Sequence, residues 1–472
     1  MKRIGVYFFL LCGLFSCTEE RPNVLLIVVD DLRPLDDAIT PNIDQLAEKG
    51  IRFTNAFSQY ANCSPSRRSF LSGLSPVRGD SGGNLNHYLK NNPQVSMPAY
   101  FKQFGYTTAS LGKVYHGLKE DRDSWDYYHD IPFSNQFHPW ESYASIKNQQ
   151  IKNLDNRPAV ENEAEALDQY NDYNISLKVM EMLETYKDQP FFMTVGFRKP
   201  HLPFAAPRQF WDLYKREQFK LSKYASAPVL GDTIVYQWSE LASYAPYSSS
   251  YKTGNYRNKK VSDFQSMELK HGYYACVSYI DFLVGQLLEK LEKLNLDKKT
   301  IVVFTADHGF HLGEQQIWGK HSNYKLSTQV PLIIYDPNLN PGKNIREGFV
   351  ELLDLYPTLT ELAGLGKPEK ADGKSMLPLM HNPDAPSFSA AFSMYQSFQK
   401  DVSIKDLKAY AIHTKNHTYI EWWDFKEKEI VQQELYELNK GIERVNVISQ
   451  ETSQSVISKL SDKINRYNSK LN

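Results

Sequence analysis

The chain has 472 residues, 41% hydrophobic and 23% charged, enough to bury one large core or a large core with a smaller second one. Lys and Arg number 54 against 55 Asp and Glu, so no basic excess is present to hold a phosphate backbone, and nucleic acid is excluded as a partner.

The opening MKRIGVYFFLLCGLFSCTEE sets two cations before an apolar stretch from Ile4 to Ser16. The stretch is short for a bilayer span and has the shape of an export signal, residues 1–16. Leu14-Phe15-Ser16-Cys17 resembles a bacterial lipobox, which leaves two expectations for a bacterial exported protein: a membrane-anchored lipoprotein lipidated at Cys17, or release into the periplasm. With Cys12 and Cys17 assigned to the leader, Cys63 and Cys276 remain. Two widely spaced cysteines allow at most one disulfide. Cys276 lies in the periodic run MELKHGYYACVSYIDFLVGQLLEKLEKL, read as a long helix with the thiol facing the core, which argues against a bridge to Cys63.

Next comes VLLIVVDD, an apolar run closed by Asp30 and Asp31. Such a run reads as a strand buried on both faces, as in parallel sheets covered by helices. PNIDQLAEKG reads as a helix ending at Gly50. CSPSRRSFLSG, residues 63–73, then puts a cysteine in a polar, cationic stretch with proline two positions on, a helix-start pattern that points to chemistry at Cys63. PFFMTVGFRKPH is a further strand ending in a polar turn. TIVVFTADHG, 300–309, repeats the grammar of the first run: apolar strand, acid, histidine, glycine. Alternating strands and helices give an α/β class, and in open α/β sheets ligands gather outside the carboxyl ends of the strands. Residues 118–175 and 212–262, rich in tyrosine and polar residues with weak periodicity, read as long surface loops that shape a pocket. From about 385 the strand-like pieces AAFSMYQ, KAYAIHT and HTYIEWWD and a last helical stretch read as a smaller antiparallel subdomain, giving domains 22–384 and 385–472.

Four strand ends or turns carry the reactive groups: Asp30-Asp31, Cys63 to Arg67, Lys113 to His116, and Asp307-His308. Alone, Asp30-Asp31 fits a solvated turn or helix cap as well as a metal site. Joined to Asp307 it offers three carboxylates from two strand ends, which suits a hard cation such as calcium.

CSPSRRSFLSG resembles the sulfatase signature, and the resemblance runs through VLLIVVDDLRP, SLGKVYHG, VGFRKPHLPF, TADHGFHLGEQQIWGKHSNY, EWWDF and QELYEL. Within the formylglycine-dependent, type I sulfatases these variants look most like the iduronate-2-sulfatase branch, His308 included. The resemblance implies an alkaline-phosphatase-like sulfatase fold, with a large mixed sheet flanked by helices and a smaller C-terminal antiparallel sheet. It implies oxidation of Cys63 by a sulfatase-maturating enzyme to Cα-formylglycine, recognised through Pro65, Ser66 and Arg67. One calcium ion would be held by Asp30, Asp31, residue 63, Asp307 and His308. By the same resemblance Arg67 holds the hydrated aldehyde, Lys113 and Lys320 grip sulfate, His116 is the base for sulfate release and His201 the acid for the leaving alcohol. Lys199 and Arg198 either meet substrate anions or form a solvated face, and His311 and His321 are structural. The implied activity is a calcium-dependent sulfatase, an exo-acting 2-O-sulfatase on uronic acid of glycosaminoglycans. Desulfation of an algal polysaccharide is the alternative, and a phosphatase or phosphonate hydrolase the more distant one, since a two-zinc phosphatase would carry more histidines.

Overall fold

The computed structural model describes residues 21–471 except 79–84, 92–93, 118–119, 130–142, 232, 237, 252–255, 258, 341, 386–388, 398–406 and 439–440. The apolar leader and Cys17 lie outside the described residues.

The first apolar run forms β1 (Asn23–Val29), with Val24 to Val29 fully buried. Burying each such aliphatic side chain contributes about 1.5–3 kcal/mol, which is why this run takes the sheet centre. Helix α1 (Pro41–Lys49) leads to β2 (Ile51–Phe57), and α2 (Cys63–Ser72) follows, closed by Gly73 in the left-handed region at φ 70°. Then come β3 (Thr107–Gly112), β4 (Tyr127–Tyr128), α3 (Asn171–Thr185), β5 (Phe191–Phe197), the 31-residue α4 (Asp263–Lys293), β6 (Thr300–Ala306), β7 (Gln329–Tyr335) and β8 (Ile345–Glu351).

These eight strands make one mixed sheet in the order β8-β2-β7-β6-β1-β5-β3-β4. Strand β7 is antiparallel to both neighbours, and every other pairing is parallel. Consequently β6, β1, β5 and β3 all end at the same edge. Val29 is in register with Ala306 on one side and Phe197 on the other, so the residues that follow emerge side by side.

A second sheet is a four-stranded antiparallel meander, β9 (Ala390–Gln396), β10 (Leu407–Thr414), β11 (His417–Asp424) and β12 (Glu429–Glu437), followed by α5 (Gln454–Leu471). It joins the main body through Phe392, whose N–H donates to Glu351 Oε1 at 2.6 Å.

Helix α4 begins with the capping pair Ser262 and Gln265. Midway, Asp281 accepts from the N–H groups of Asn42 and Ile43 at 3.0 and 2.8 Å, capping α1. Cys276 faces the core and, like Cys63, is a buried free thiol.

The tyrosine-rich stretches differ from the surface loops expected of them. Tyr143, Tyr170, Tyr214, Tyr236, Tyr244, Tyr247, Tyr251 and Tyr256 are buried, and α3 begins within the first stretch. Tyr170 and Tyr214 pack against Tyr279 and Tyr274 of α4, Tyr236 and Tyr251 pack against Tyr256, and the Tyr214 hydroxyl lies 2.7 Å from that of Ser278. Weak periodicity here reflects an irregular backbone, and the side chains are interior.

Candidate active site

At the shared strand edge Asp30 and Asp31 follow β1, Asp307 and His308 follow β6, Lys113 and His116 follow β3, and His201 follows β5. Asp30, Asp31, Asp307 and His308 are fully buried. Asp31 has φ 64°, a left-handed value uncommon for a residue with a side chain, and this turn keeps both acids facing inward. Its carbonyl accepts from Tyr273 at 2.7 Å, and its N–H donates to Asp307 Oδ1 at 3.2 Å.

Lys113 is set by a close approach of two glycines. Its N–H donates to the Gly196 carbonyl at 2.8 Å, and a Cβ on Gly196 would stand 1.9 Å from the Lys113 carbonyl oxygen. Only glycine lets β5 and the end of β3 meet this closely.

Cys63 occupies the first turn of α2, its Sγ 3.3 Å from Asp30 Oδ1, 3.3 Å from His308 Nε2 and 3.6 Å from Lys113 Nζ. Burial, with Asp30 second, pushes its thiol up to about 12. As encoded, the residue is a protonated thiol at neutral pH and a poor nucleophile. Arg67, one helical turn on, is wholly buried. Its Nε donates to Asp307 Oδ2 at 2.9 Å and a terminal nitrogen reaches Asp30 Oδ1 at 3.3 Å. Lys113 Nζ pairs with Asp30 Oδ2. Lys320 Nζ lies 2.7 Å from Asp31 Oδ1 and 2.8 Å from Glu240 Oε1.

Glu240 was not among the residues singled out from the sequence. It comes from the second tyrosine-rich stretch, and its Oε1 lies 3.8 Å from His201 Nε2 and 3.7 Å from His321 Nε2. His321, read as structural, therefore borders the site, whereas His311 is fully buried and stacks edge-on against Tyr324.

His201 holds its Nδ1 2.6 Å from the Leu202 carbonyl, which assigns the proton there and turns Nε2 toward Asp31 and Glu240. Burial, then Lys320, lowers its basicity well below the usual histidine range. His116, three residues beyond Lys113, is exposed. Burial of its surroundings, then Lys113, lowers its basicity as well; the open face tempers the first effect, while Arg67 and Lys320 add to the second, so the imidazole is neutral. Arg198 and Lys199 are buried and form no solvated face. Their backbone N–H groups donate to Asp172 at 2.8 and 2.9 Å, and Lys199 Nζ donates to the Pro203 carbonyl at 2.6 Å. Burial brings the Lys199 ammonium down to about 8.

A cation fits this donor set. Ligand atoms of Asp30, Cys63, Asp307 and His308 lie within 4.8 Å of one another, and Asp31, Cys63 and His201 form an overlapping group. His308 directs Nδ1 to the Gly309 carbonyl at 3.1 Å, which leaves Nε2 free to ligate. Asp31 Oδ2 is buried and accepts no hydrogen bond. Burial opposes the charge on Asp30, but Lys113 and then other cations hold its carboxyl well below the ordinary range. Burial, Glu240 and Asp30 push Asp31 well above it despite Lys320. Four carboxylates (Asp30, Asp31, Glu240, Asp307) face three fixed cations (Arg67, Lys113, Lys320), an excess of negative charge that a hard divalent ion would relieve.

Comparison with known proteins agrees with this arrangement. The chain matches the Sulfatase family over residues 22–365 and the family described as "N-sulphoglucosamine sulphohydrolase, C-terminal" over 313–470. It is 32% identical to iduronate 2-sulfatase of Homo sapiens, covering 88% of each chain. It is 29% identical to a sulfatase of Formosa agariphila, covering 87% of this chain and 81% of the relative. The solved structure of phosphonate monoester hydrolase SpPMH from Silicibacter pomeroyi shares the fold, with a TM-score of 0.76, 20% identity and 96% coverage of each chain. The strand-edge cluster thus sits inside a match spanning most of the molecule, and this chain belongs to the sulfatases, hydrolases of sulfuric esters.

Proposed function

We propose that the protein removes sulfate from a sulfated carbohydrate, with residue 63 working as Cα-formylglycine beside one calcium ion. The observation that carries this reading is the convergence of Asp30, His308 and Lys113 on the Cys63 side chain at one strand edge. A 2-O-sulfated uronic acid at the non-reducing end of a glycosaminoglycan is the favoured substrate, supported by the likeness to iduronate 2-sulfatase over 88% of each chain.

A hydrated aldehyde at position 63 supplies an oxygen nucleophile toward sulfur and a second hydroxyl whose deprotonation releases sulfate. Asp30, Asp31, Asp307 and His308 would hold a calcium ion, which would supply stabilisation of the negative charge on the sulfate. Arg67, tied to Asp30 and Asp307, orients residue 63 from below. Lys113 and Lys320 hold sulfate oxygens as compact ammonium charges, each already fixed by one aspartate. His201, with its Nδ1 proton committed to a carbonyl, has an unprotonated Nε2 at rest beside Glu240 and Asp31; taking up a second proton there as the anionic sulfate ester enters, it would pass that proton to the leaving alcohol. His116, neutral and exposed, takes the proton of the second hydroxyl. Burial keeps bulk water from most of these groups, which strengthens every charge contact on the sulfate.

Export with a lipid anchor at Cys17, and conversion of Cys63 by a maturating enzyme, belong to the same proposal. The deciding experiment has two parts. Mass spectrometry of the peptide spanning residue 63 seeks formylglycine in protein from a maturation-competent host. A panel of defined sulfated glycosaminoglycan and algal oligosaccharides, with phosphate and phosphonate esters alongside, is then assayed for sulfate or phosphate release. Formylglycine with release from a 2-O-sulfated uronate is expected, and faster turnover of a phosphate or phosphonate ester would overturn the reading.

A further inference from the structure

Two residues before Glu240 stands Trp238, with 49% of its surface exposed. Among the described residues Trp125, Trp211, Trp318 and Trp422 are buried and Trp423 is half-buried, so Trp238 carries the most open indole. Tyr236, Ser239 and Glu240 near it are held in place. Tyr236 is fully buried, its hydroxyl donating to the Gln315 carbonyl at 2.8 Å and its carbonyl accepting from Tyr256 N–H at 2.8 Å. Ser239 is buried, with its hydroxyl 3.4 Å from the Trp318 carbonyl, and Glu240 is buried against Lys320. The exposed ring is therefore mounted between fixed points.

Its position relative to the chemistry follows from short contacts. The ring centroid lies 4.5 Å from that of His321 at 75°, so the imidazole braces it from one side. His321 Nε2 is 3.7 Å from Glu240 Oε1, which is 3.8 Å from His201 Nε2, the atom given the leaving-group role in the proposed function. Ser239 is extended at φ −128° and ψ 140°, so the Trp238 and Glu240 Cα atoms stand about 7 Å apart. One short segment thus carries both a carboxylate in contact with Lys320 and an open aromatic ring against His321, which borders that carboxylate.

We infer that Trp238 is the stacking platform of a sugar subsite, receiving the apolar face of a pyranose ring at or next to the sulfated unit. The inference rests on the carbohydrate-sulfatase reading for the identity of the ligand. A pyranose presents a face of C–H groups with slight positive charge, and the indole face is negative, so the two attract as edge-to-face aromatic pairs do. The indole is rigid and already placed, so little conformational freedom is lost when the sugar seats.

The test uses Cys63→Ala protein, which binds without turnover, and titrates it calorimetrically with a 2-O-sulfated heparin tetrasaccharide and with a carrageenan tetrasaccharide. Adding Trp238→Ala is expected to weaken Kd for the better ligand about three- to tenfold, while adding Trp238→Phe stays within about threefold of the parent. In the matured enzyme Trp238→Ala is expected to show its loss mainly in KM. A Trp238→Ala Kd equal to the parent's, or binding of neither glycan by the parent, overturns the inference, as does a variant altered only in self-association, which would mark the ring as a protein contact. Sulfate release is followed separately in the matured parent. Glycan binding that depends on Trp238 without any release leaves the subsite standing and defeats the activity; release with unchanged Kd in the variant does the reverse.

Discussion

Glu240 Oε1 lies 2.8 Å from Lys320 Nζ, and the same ammonium lies 2.7 Å from Asp31 Oδ1, so Lys320 is held between two carboxylates from distant parts of the chain. Burial disfavours the Glu240 charge, yet Lys320 and His321 hold its carboxyl well below the ordinary range. Glu240→Gln keeps the shape and an acceptor for Lys320 but removes the charge. A hydrogen bond between charged groups contributes about 1.5–3 kcal/mol, so kcat/KM is expected to fall roughly ten- to a hundredfold. Initial rates on a sulfated sugar, with thermal unfolding as a check on folding, measure this; a rate within twofold of the parent would show that Glu240 takes no part.

Cys63 combines 3% exposure with a thiol held near 12, so in unconverted protein it should resist alkylation in the native state and label on unfolding, together with Cys276. Peptide mass mapping after a native and a denaturing maleimide pulse reads this out. Cys63→Ala is expected to fold normally and to release no sulfate, and near-parental release by a homogeneous sample would sink the formylglycine mechanism.

The donor set of three carboxylates and one imidazole is expected to carry about one calcium per chain in elemental analysis. Asp307→Asn removes one ligand charge and loosens Arg67, which donates to Asp307 Oδ2 at 2.9 Å. Metal content and activity should fall together. Stoichiometric zinc in active enzyme, without calcium, would contradict the assignment.

In the proposed mechanism the two histidines act on different protons, and leaving-group chemistry separates them. His201→Ala should slow a sugar sulfate much more than an activated aryl sulfate, whose phenolate departs unaided. His116→Ala should slow both to one common rate and let sulfated enzyme accumulate, visible by intact-protein mass spectrometry after quenching. An equal penalty on both substrates for His201→Ala would require the roles to be exchanged.

A second pair of acids governs stability away from the site. Glu351, bonded to Phe392 of the second sheet, has its carboxyl raised to about 8 by burial and by neighbouring Asp354, itself raised by burial. The folded chain thus keeps a proton that the unfolded chain, with an ordinary glutamate at 4.5, has released. This stabilisation is complete below about pH 4.5 and is lost as pH rises through about 8. The urea midpoint should be higher at pH 5.5 than at pH 8.5, and Glu351→Gln should flatten that difference. A parental midpoint that rises over this interval would refute the assignment.

Much of this architecture is legible in local pattern. Runs such as VLLIVVDD and TIVVFTADHG show both the buried parallel strands and the acids at their ends, because full burial on two faces demands unbroken apolar sequence. The polar start of α2 announces Cys63 for the opposite reason, reactive groups being set where no core position would place them. Glu240 has no such signal: its partner Lys320 is eighty residues away, and its surroundings lack periodicity because the backbone there is a series of short turns. Strand β12, EIVQQELYE, was missed as an element because its outer half carries no apolar alternation. Arg198 and Lys199 look like surface cations until Asp172 is seen to capture their backbone.

The parallel ends of β6, β1, β5 and β3 separate two kinds of inheritance in this molecule. The sulfur chemistry hangs on strand termini that cannot shift without unpicking the sheet, down to the bare Cα of Gly196 against Lys113. The indole of Trp238 lies outside that lattice, so the proposed sugar contact can be exchanged with strand pairing intact. Glu240, two residues on, cannot follow it, because its hold on Lys320 ties the same segment to the reaction.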